Sequence, residues 1–250
     1  MPNWSYNNLK INGSKKRLKE FYDFNKSDDE ERVLCFYKSV PMPKNIYRGT
    51  ITFGERYNNR ENWYDWNCKN LGTKWNVREA RFEEDIIYDQ GGFETLLVLN
   101  RKLEENVETV KPIIKSFFQR SVYNYYFDTA WSPPVPWLLK TSKKWNDLEF
   151  IMDSELEGED IGYEIKIING EIIEQRQYSP AEEYYKKNKK GIHKIVISLR
   201  DKLKLDGIKY KNDEEKEDII ESIREELDKE YYWFPDDVIL SIINELIYKK

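Results

Sequence analysis

The chain has 250 residues, 35% of them charged and 39% hydrophobic, with a formal net charge of −5. That balance speaks against a non-specific duplex-DNA binder, which needs a basic surface excess. An aromatic share of 15% supplies the bulky core groups that a disordered chain lacks, while Cys35 and Cys68 form no CxxC pattern and so offer neither a disulfide framework nor a cysteine zinc site.

Residues 5–11 alternate, with Leu9 and Ile11 on the inward face of an expected strand. Gly13 breaks it, and Ser14 is placed to cap a helix whose stripe carries Leu18, Phe21, Tyr22 and Asn25. Residues 32–40 (RVLCFYKSV) predict a second strand, ended by Pro41 and Pro43, which cannot donate to a ladder. The spacing predicts a helix over 58–70, with Trp63 and Trp66 three apart. Short strands are expected at 74–82 and 93–99, and a helix over 103–118. Residues 122–128 predict a strong strand and 133–143 a helix, with Pro133 at its first turn and Ser132 as its cap. Residues 148–152, 163–168 and 171–177 predict three more strands, the last two joined by Asn169-Gly170, a hairpin turn signal. Past Pro180 the pattern predicts a strand at 194–199 and helices over 213–232 and 235–248.

Strand, helix, strand, insertion, strand, helix, strand is a split βαβ order. The expected class is therefore α+β, a ferredoxin-like sheet with its helices on one face, an insertion and a C-terminal helical extension. The domain is expected over 1–178, with its insertion at about 41–118, and the mainly helical extension over 179–250. No apolar run approaches the roughly 20 residues of a membrane span. The start MPNW has no basic-then-apolar leader, so a soluble cytoplasmic protein is expected.

Five segments stand in an order and spacing that resemble a known family: MPNWSYNNLKING (1–13), VPMP (40–43), GTKWN (72–76), FDTAWSPPVPWL (127–138) and ELEGEDIGYE (155–164). They are similar to the ferredoxin-like domain of the Api-like and YubB-like proteins carried by phages and plasmids. Ser5 and Leu71 stand where that family often has Cys and Trp, and residues 84–118 and 179–250 look like additions. The resemblance implies the fold and a mobile-element setting; it implies no catalytic residue and no cofactor.

Chemistry-bearing groups are sparse. Asp128 and Ser132 have no base nearby in sequence, since His193 is the only histidine and lies in another region. Trp131 and Trp137 are expected to wedge between helix and sheet as core material. Asp153, Glu155, Glu157, Gly158 and Glu164 imitate a calcium loop, but the flanks are strands and the two middle acids are the longer Glu. No enzyme, cofactor or metal is expected.

Two binding surfaces remain. Residues 213–230 hold ten acidic and three basic residues over an apolar stripe of Ile219, Ile220, Ile223 and Leu227. There Glu225, Glu226 and Asp228 are candidates for contact with a basic, nucleic-acid-binding host protein, because complementary charge steers encounter. WYDWNCKNLGTKW (63–75) interleaves tryptophans and lysines. Its candidates Trp63, Trp66, Lys74 and Trp75, with Tyr6 and Tyr126 on neighbouring strands, suit stacking of single-stranded nucleic acid or a nucleotide. Packing is the plainer account of both clusters.

Overall fold

The computed structural model describes residues 3–28, 32–51, 61–88, 119–203, 213–227, 229 and 234–245. Two compact units are present, one of residues 1–159 and 163–176, the other of 160–162 and 177–250.

The first unit is built on β1 (Trp4–Asn12), β2 (Arg78–Tyr88), β3 (Gln119–Ala130), β4 (Glu149–Leu156), β5 (Gly162–Ile168) and β6 (Glu171–Tyr178). They form one sheet in the order β2-β3-β1-β4-β5-β6. β1 runs antiparallel to both β3 and β4, and β2 antiparallel to β3. The first four strands have the ferredoxin-like order, and the β5–β6 hairpin widens the sheet beyond β4. Asn169 (φ 50°) and Gly170 (φ 79°) make the left-handed turn that a two-residue hairpin requires.

Alternation along β1 is strict. Ser5, Asn7, Leu9 and Ile11 are buried on one face, while Tyr6 and Asn8 are exposed on the other. Leu9 stands opposite Tyr125 and Met152, and Ile11 opposite Tyr123 and Phe150. This inner face receives α1 (Lys15–Asn25) through Leu18 and Phe21, and α4 (Val135–Lys144) through Trp137 and Leu138. The Phe21 ring meets Tyr125, Trp145 and Phe150 edge-on, with centroids 6.1, 5.4 and 5.6 Å away, the geometry favoured by ring quadrupoles. Ser14 caps α1, its hydroxyl accepting from the Arg17 N–H.

The polar part of the inner face is one network. The Asn7 side-chain amide donates to the carbonyls of Ser5 (2.8 Å) and Phe127 (3.1 Å) and to Thr129 Oγ1 (2.9 Å). Its oxygen accepts from Ser154 Oγ at 2.8 Å. The Tyr125 hydroxyl is among the buried groups that lack a partner among the described residues. Burial drives its pKa far above the ordinary tyrosine value. Tyr125→Phe removes that orphan and keeps the ring, so it is expected to raise unfolding free energy by about 1 kcal/mol in denaturant titration; a clear loss would mean the hydroxyl has a partner.

Three expectations change. Residues 32–40 are not a strand: α2 (Phe36–Ser39) is a short helix that buries Phe36 against the core, with Leu34 and Val40 buried on either side of it. Asn76 Oδ1 accepts its first N–H, from Phe36, at 2.9 Å, satisfying a donor that a ladder would otherwise use. The second strand of the split βαβ unit is β2 instead, beginning at Arg78 rather than Lys74 because residues 72–76 form a turn. Residues 194–199 are also helical, within α5 (Pro180–Leu203). Buried Ile192, Val196 and Leu199 recur at helical spacing, and this overrides the local β-branched run. The helix expected over 58–70 is α3 (Trp63–Asn70), capped by Asn62, whose side chain accepts from the Asp65 N–H. The strand expected at 93–99 and the helix at 103–118 lie outside the described residues.

In the second unit, α5, α6 (Asp213–Leu227) and α7 (Asp236–Ile243) enclose their own core of Ile192, Val196, Ile220, Ile223, Leu227, Ile239 and Ile242. Ser179 and Asp160 accept the first N–H groups of α5. No helix among the described residues is long and apolar enough to cross a membrane.

Candidate functional site

β3 ends at Ala130, and the chain then turns sharply. Trp131 lies at φ 75°, in the left-handed region that a bulky L-residue rarely adopts. The turn is held from both sides. The Trp131 N–H donates to the Asn3 carbonyl at 2.9 Å, and Thr129 Oγ1 donates to the Ser132 carbonyl at 2.8 Å. Ser132 therefore does not take the capping role that the sequence predicts: its hydroxyl donates to the Gly72 carbonyl, and α4 begins at Val135 after Pro134. Thr73 Oγ1 donates in return to the Ala130 carbonyl at 2.9 Å. Gly72 has φ 83°, and a Cβ there would run into the Pro136 ring, so glycine is needed for this close approach. Asn67 completes the stitching, its amide donating to the Lys74 carbonyl at 2.8 Å.

These bonds bring the 72–75 turn against Trp131 and build an aromatic ledge. Lys74 Nζ lies 4.5 Å from the Trp75 ring centroid, 5.0 Å from Trp131 and 5.9 Å from Tyr64. Trp75 continues to Trp4 at 6.1 Å, and the Arg78 guanidinium lies 4.5 Å over the Trp4 ring. Tyr64 meets Trp131 edge-on at 6.0 Å. Trp131 is 42% exposed and Trp75 37%. Trp131 is thus not the core wedge that the sequence suggested. That role falls to Trp137 alone, which is fully buried and 4.4 Å from the Phe36 ring.

Beside the ledge is the sheet face opposite the helices. Two adjacent rungs cross it, Arg81–Tyr126–Asn8–Asp153 and Asp128–Tyr6–Glu155, as the strand registers dictate. With Glu79 they line an open groove of about 830 Å³. Tyr6 is 48% exposed, and its hydroxyl donates to Glu157 at 3.3 Å. Burial and the nearby Glu157 raise the Tyr6 pKa. Burial and Glu79 also raise the Asp128 carboxyl above its ordinary value, against the pull of Arg78 and Arg81.

The sequence candidates therefore separate. Lys74 and Trp75 join on the ledge, and Tyr6 and Tyr126 share the groove. Trp66 packs on the core, 6.4 Å from Tyr37. Trp63 lines a different groove with Tyr37, Pro41, Met42 and Arg48, its indole N–H donating to the Gly49 carbonyl. Glu225 is exposed on α6, Glu226 pairs with Lys229 at 2.8 Å, and Asp228 lies outside the described residues. The ledge members Trp4, Tyr64, Arg78 and Trp131 were not among the candidates. The β1–β3 pairing places Trp4 opposite Ala130, next to Trp131, and that adjacency was the signal available.

Among the described residues no group of three or more His, Cys, Asp or Glu is placed to hold a metal ion. Glu157–Glu159 form the β4–β5 turn, with Gly158 at φ 75°. His193 Nε2 sits 2.6 Å from the Tyr185 hydroxyl, which itself donates to Glu245 at 2.9 Å. That leaves His193 as the donor to the phenol oxygen, in a tie between α5 and the residues after α7.

Residues 115–193 match the family described as the ferredoxin-like domain in Api92-like protein. The matched segment takes in β3, α4, β4, β5, β6 and the first half of α5. It therefore includes Trp131 and the turn that strains it, while Trp4, Lys74 and Trp75 fall outside it. No curated protein and no solved structure matches the chain.

Proposed function

We propose that the chain is a non-enzymatic accessory protein of a phage or related mobile element. In the cytoplasm of a bacterial host it binds and inhibits a host protein, and the target class we favour is a basic, nucleic-acid-binding defence nuclease. One observation carries this reading: Trp131 is held half-exposed at a strained φ of 75°, over Lys74 and beside Tyr64. A strained backbone costs of order 1–3 kcal/mol and concentrates at functional sites. Exposed tryptophan and arginine with a half-buried tyrosine have the composition of a protein-interface hot spot. The motif resemblance supports the mobile-element setting. The acidic α6 surface suits steering of a basic target rather than anchoring it, since rim charges act mainly on the association rate.

The test is capture from host lysate on tagged protein, with and without nuclease treatment. Wild type is expected to retain a nuclease-resistant protein partner, and Trp75→Ala with Trp131→Ala to lose it while melting as a folded protein. Reversing Glu225, Glu226 and Asp228 to Lys is expected to slow association and leave dissociation nearly unchanged. Recovery of nucleic acid alone, released by nuclease, would favour a single-strand or nucleotide-binding role for the same aromatic groups. Full retention by the double variant would remove the ledge from the interface.

A further inference from the structure

We infer that the open sheet face beside the ledge takes an extended, arginine- or lysine-rich segment of the partner. This rests on the partner-binding reading and specifies the chemistry of what is bound. Among the described residues no helix of the first unit lies on this face; α1 and α4 pack on the other. The groove is long enough to cross β2, β3, β1 and β4, about 14 Å at the usual strand spacing. Tyr6 and Tyr126 stand diagonally on neighbouring strands, because Tyr6 is opposite Asp128 and Asn8 opposite Tyr126. Two phenol rings at that separation offer faces to cations. Around them, the carboxylates of Glu79, Asp128, Asp153 and Glu155 outnumber the guanidinium of Arg81 in the lining and that of Arg78 beside it, which pairs with Glu79 at 2.6 Å.

Charge decides between the two chemistries that the tyrosines alone would admit. A single strand of nucleic acid could stack on them, but its phosphates would enter a lining of like sign. Like charges a few ångströms apart repel even in bulk water, and more strongly near a protein surface. For a guanidinium the same groups act in the opposite sense. Arginine can lie flat on a phenol ring while its planar fork meets a carboxylate in bidentate fashion. Asp128 stands opposite Tyr6 and two residues along β3 from Tyr126, and Asp153 lies diagonal to Tyr6 across β1 and β4, so the basic side chains of one extended segment would find rings and acids side by side. Basic segments of this kind are what a nucleic-acid-binding target exposes.

The experiment uses the full chain with fluorescein-labelled octa-arginine, a neutral glycine–serine peptide and a twelve-residue oligothymidine as probes, read by fluorescence anisotropy. Because an acidic protein attracts polyarginine non-specifically, the decisive comparison is between variants. Asp128→Asn with Asp153→Asn is expected to weaken octa-arginine binding at least tenfold. Tyr6→Ala with Tyr126→Ala, which leaves the charge unaltered, is expected to weaken it at least fivefold. Glu20→Gln with Asp23→Asn removes as many carboxylates from α1, on the other side of the sheet, and is expected to change it less than twofold. Equal loss from the α1 and sheet variants, or wild-type binding by the tyrosine variant, would overturn the inference. So would oligothymidine binding that the tyrosine variant abolishes. Trp75→Ala with Trp131→Ala separates the two ideas: loss of the host partner in that variant, with octa-arginine insensitive to every sheet substitution, would refute the sheet face and leave the ledge standing.

Discussion

Trp137→Ala is expected to destabilise the protein by about 3–5 kcal/mol, the usual cost of truncating a fully buried large aromatic. For a chain of this size each kcal/mol lowers Tm by about 2–4 °C, so a fall on the order of 10 °C should be plain in thermal denaturation. Trp137 has no exposed surface, packs on Phe36, and anchors α4 on the sheet. Its indole N–H has no partner among the described residues. Trp137→Phe, which removes that orphan while keeping most of the ring contact, is therefore expected to cost much less than the alanine change. Trp131→Ala is expected to lower stability by about 1 kcal/mol or less, because 42% of that side chain already faces solvent. The two tryptophans lie six residues apart in one motif, so the pair is a direct test of which one belongs to the core. A larger loss at Trp131 than at Trp137 would reverse the assignment.

How much of this was legible depended on the range of the interaction involved. Period-two alternation identified β1, including the inward Leu9 and Ile11, and Asn169-Gly170 fixed the β5–β6 hairpin, because both are local rules. The ferredoxin-like order was legible as well, although its second strand was misplaced. In 32–40, buried Leu34 and Phe36 alternate as in a strand, while Phe36 and Val40 are spaced as in a helix. A side chain forty residues on, Asn76, caps the helical form. The run at 194–199 failed for a related reason: its outcome depends on which residues meet the apolar faces of α6 and α7. Of the candidate site, Lys74 and Trp75 were legible from composition, as were Tyr6 and Tyr126 from strand alternation. The ledge itself was not. It exists because Thr73 and Ser132 exchange bonds with backbone sixty residues away, and because Trp131 takes a backbone conformation that its residue type disfavours.

That conformation leads to a prediction in which stability and binding part company. At an ordinary exposed position with negative φ, glycine is less stable than alanine, since it loses more backbone freedom on folding. At Trp131, with φ 75°, the order is expected to invert. The left-handed region costs an L-residue roughly 1–2 kcal/mol and costs glycine almost nothing. Trp131→Gly and Trp131→Ala lose the same contacts with Lys74 and Tyr64, so the difference between them isolates the backbone. Glycine is expected to be the more stable by about 1 kcal/mol in denaturant titration. Both variants remove the indole from the ledge, and both are expected to weaken partner binding at least tenfold, the size of a hot-spot truncation. A glycine variant that is at once more stable than the alanine variant and as deficient in binding would show that the strain at Trp131 serves the surface, not the fold. If alanine proves the more stable, the residue is not strained and the ledge is not held at a backbone cost. If binding survives in both, the strain has another cause and the partner is held elsewhere.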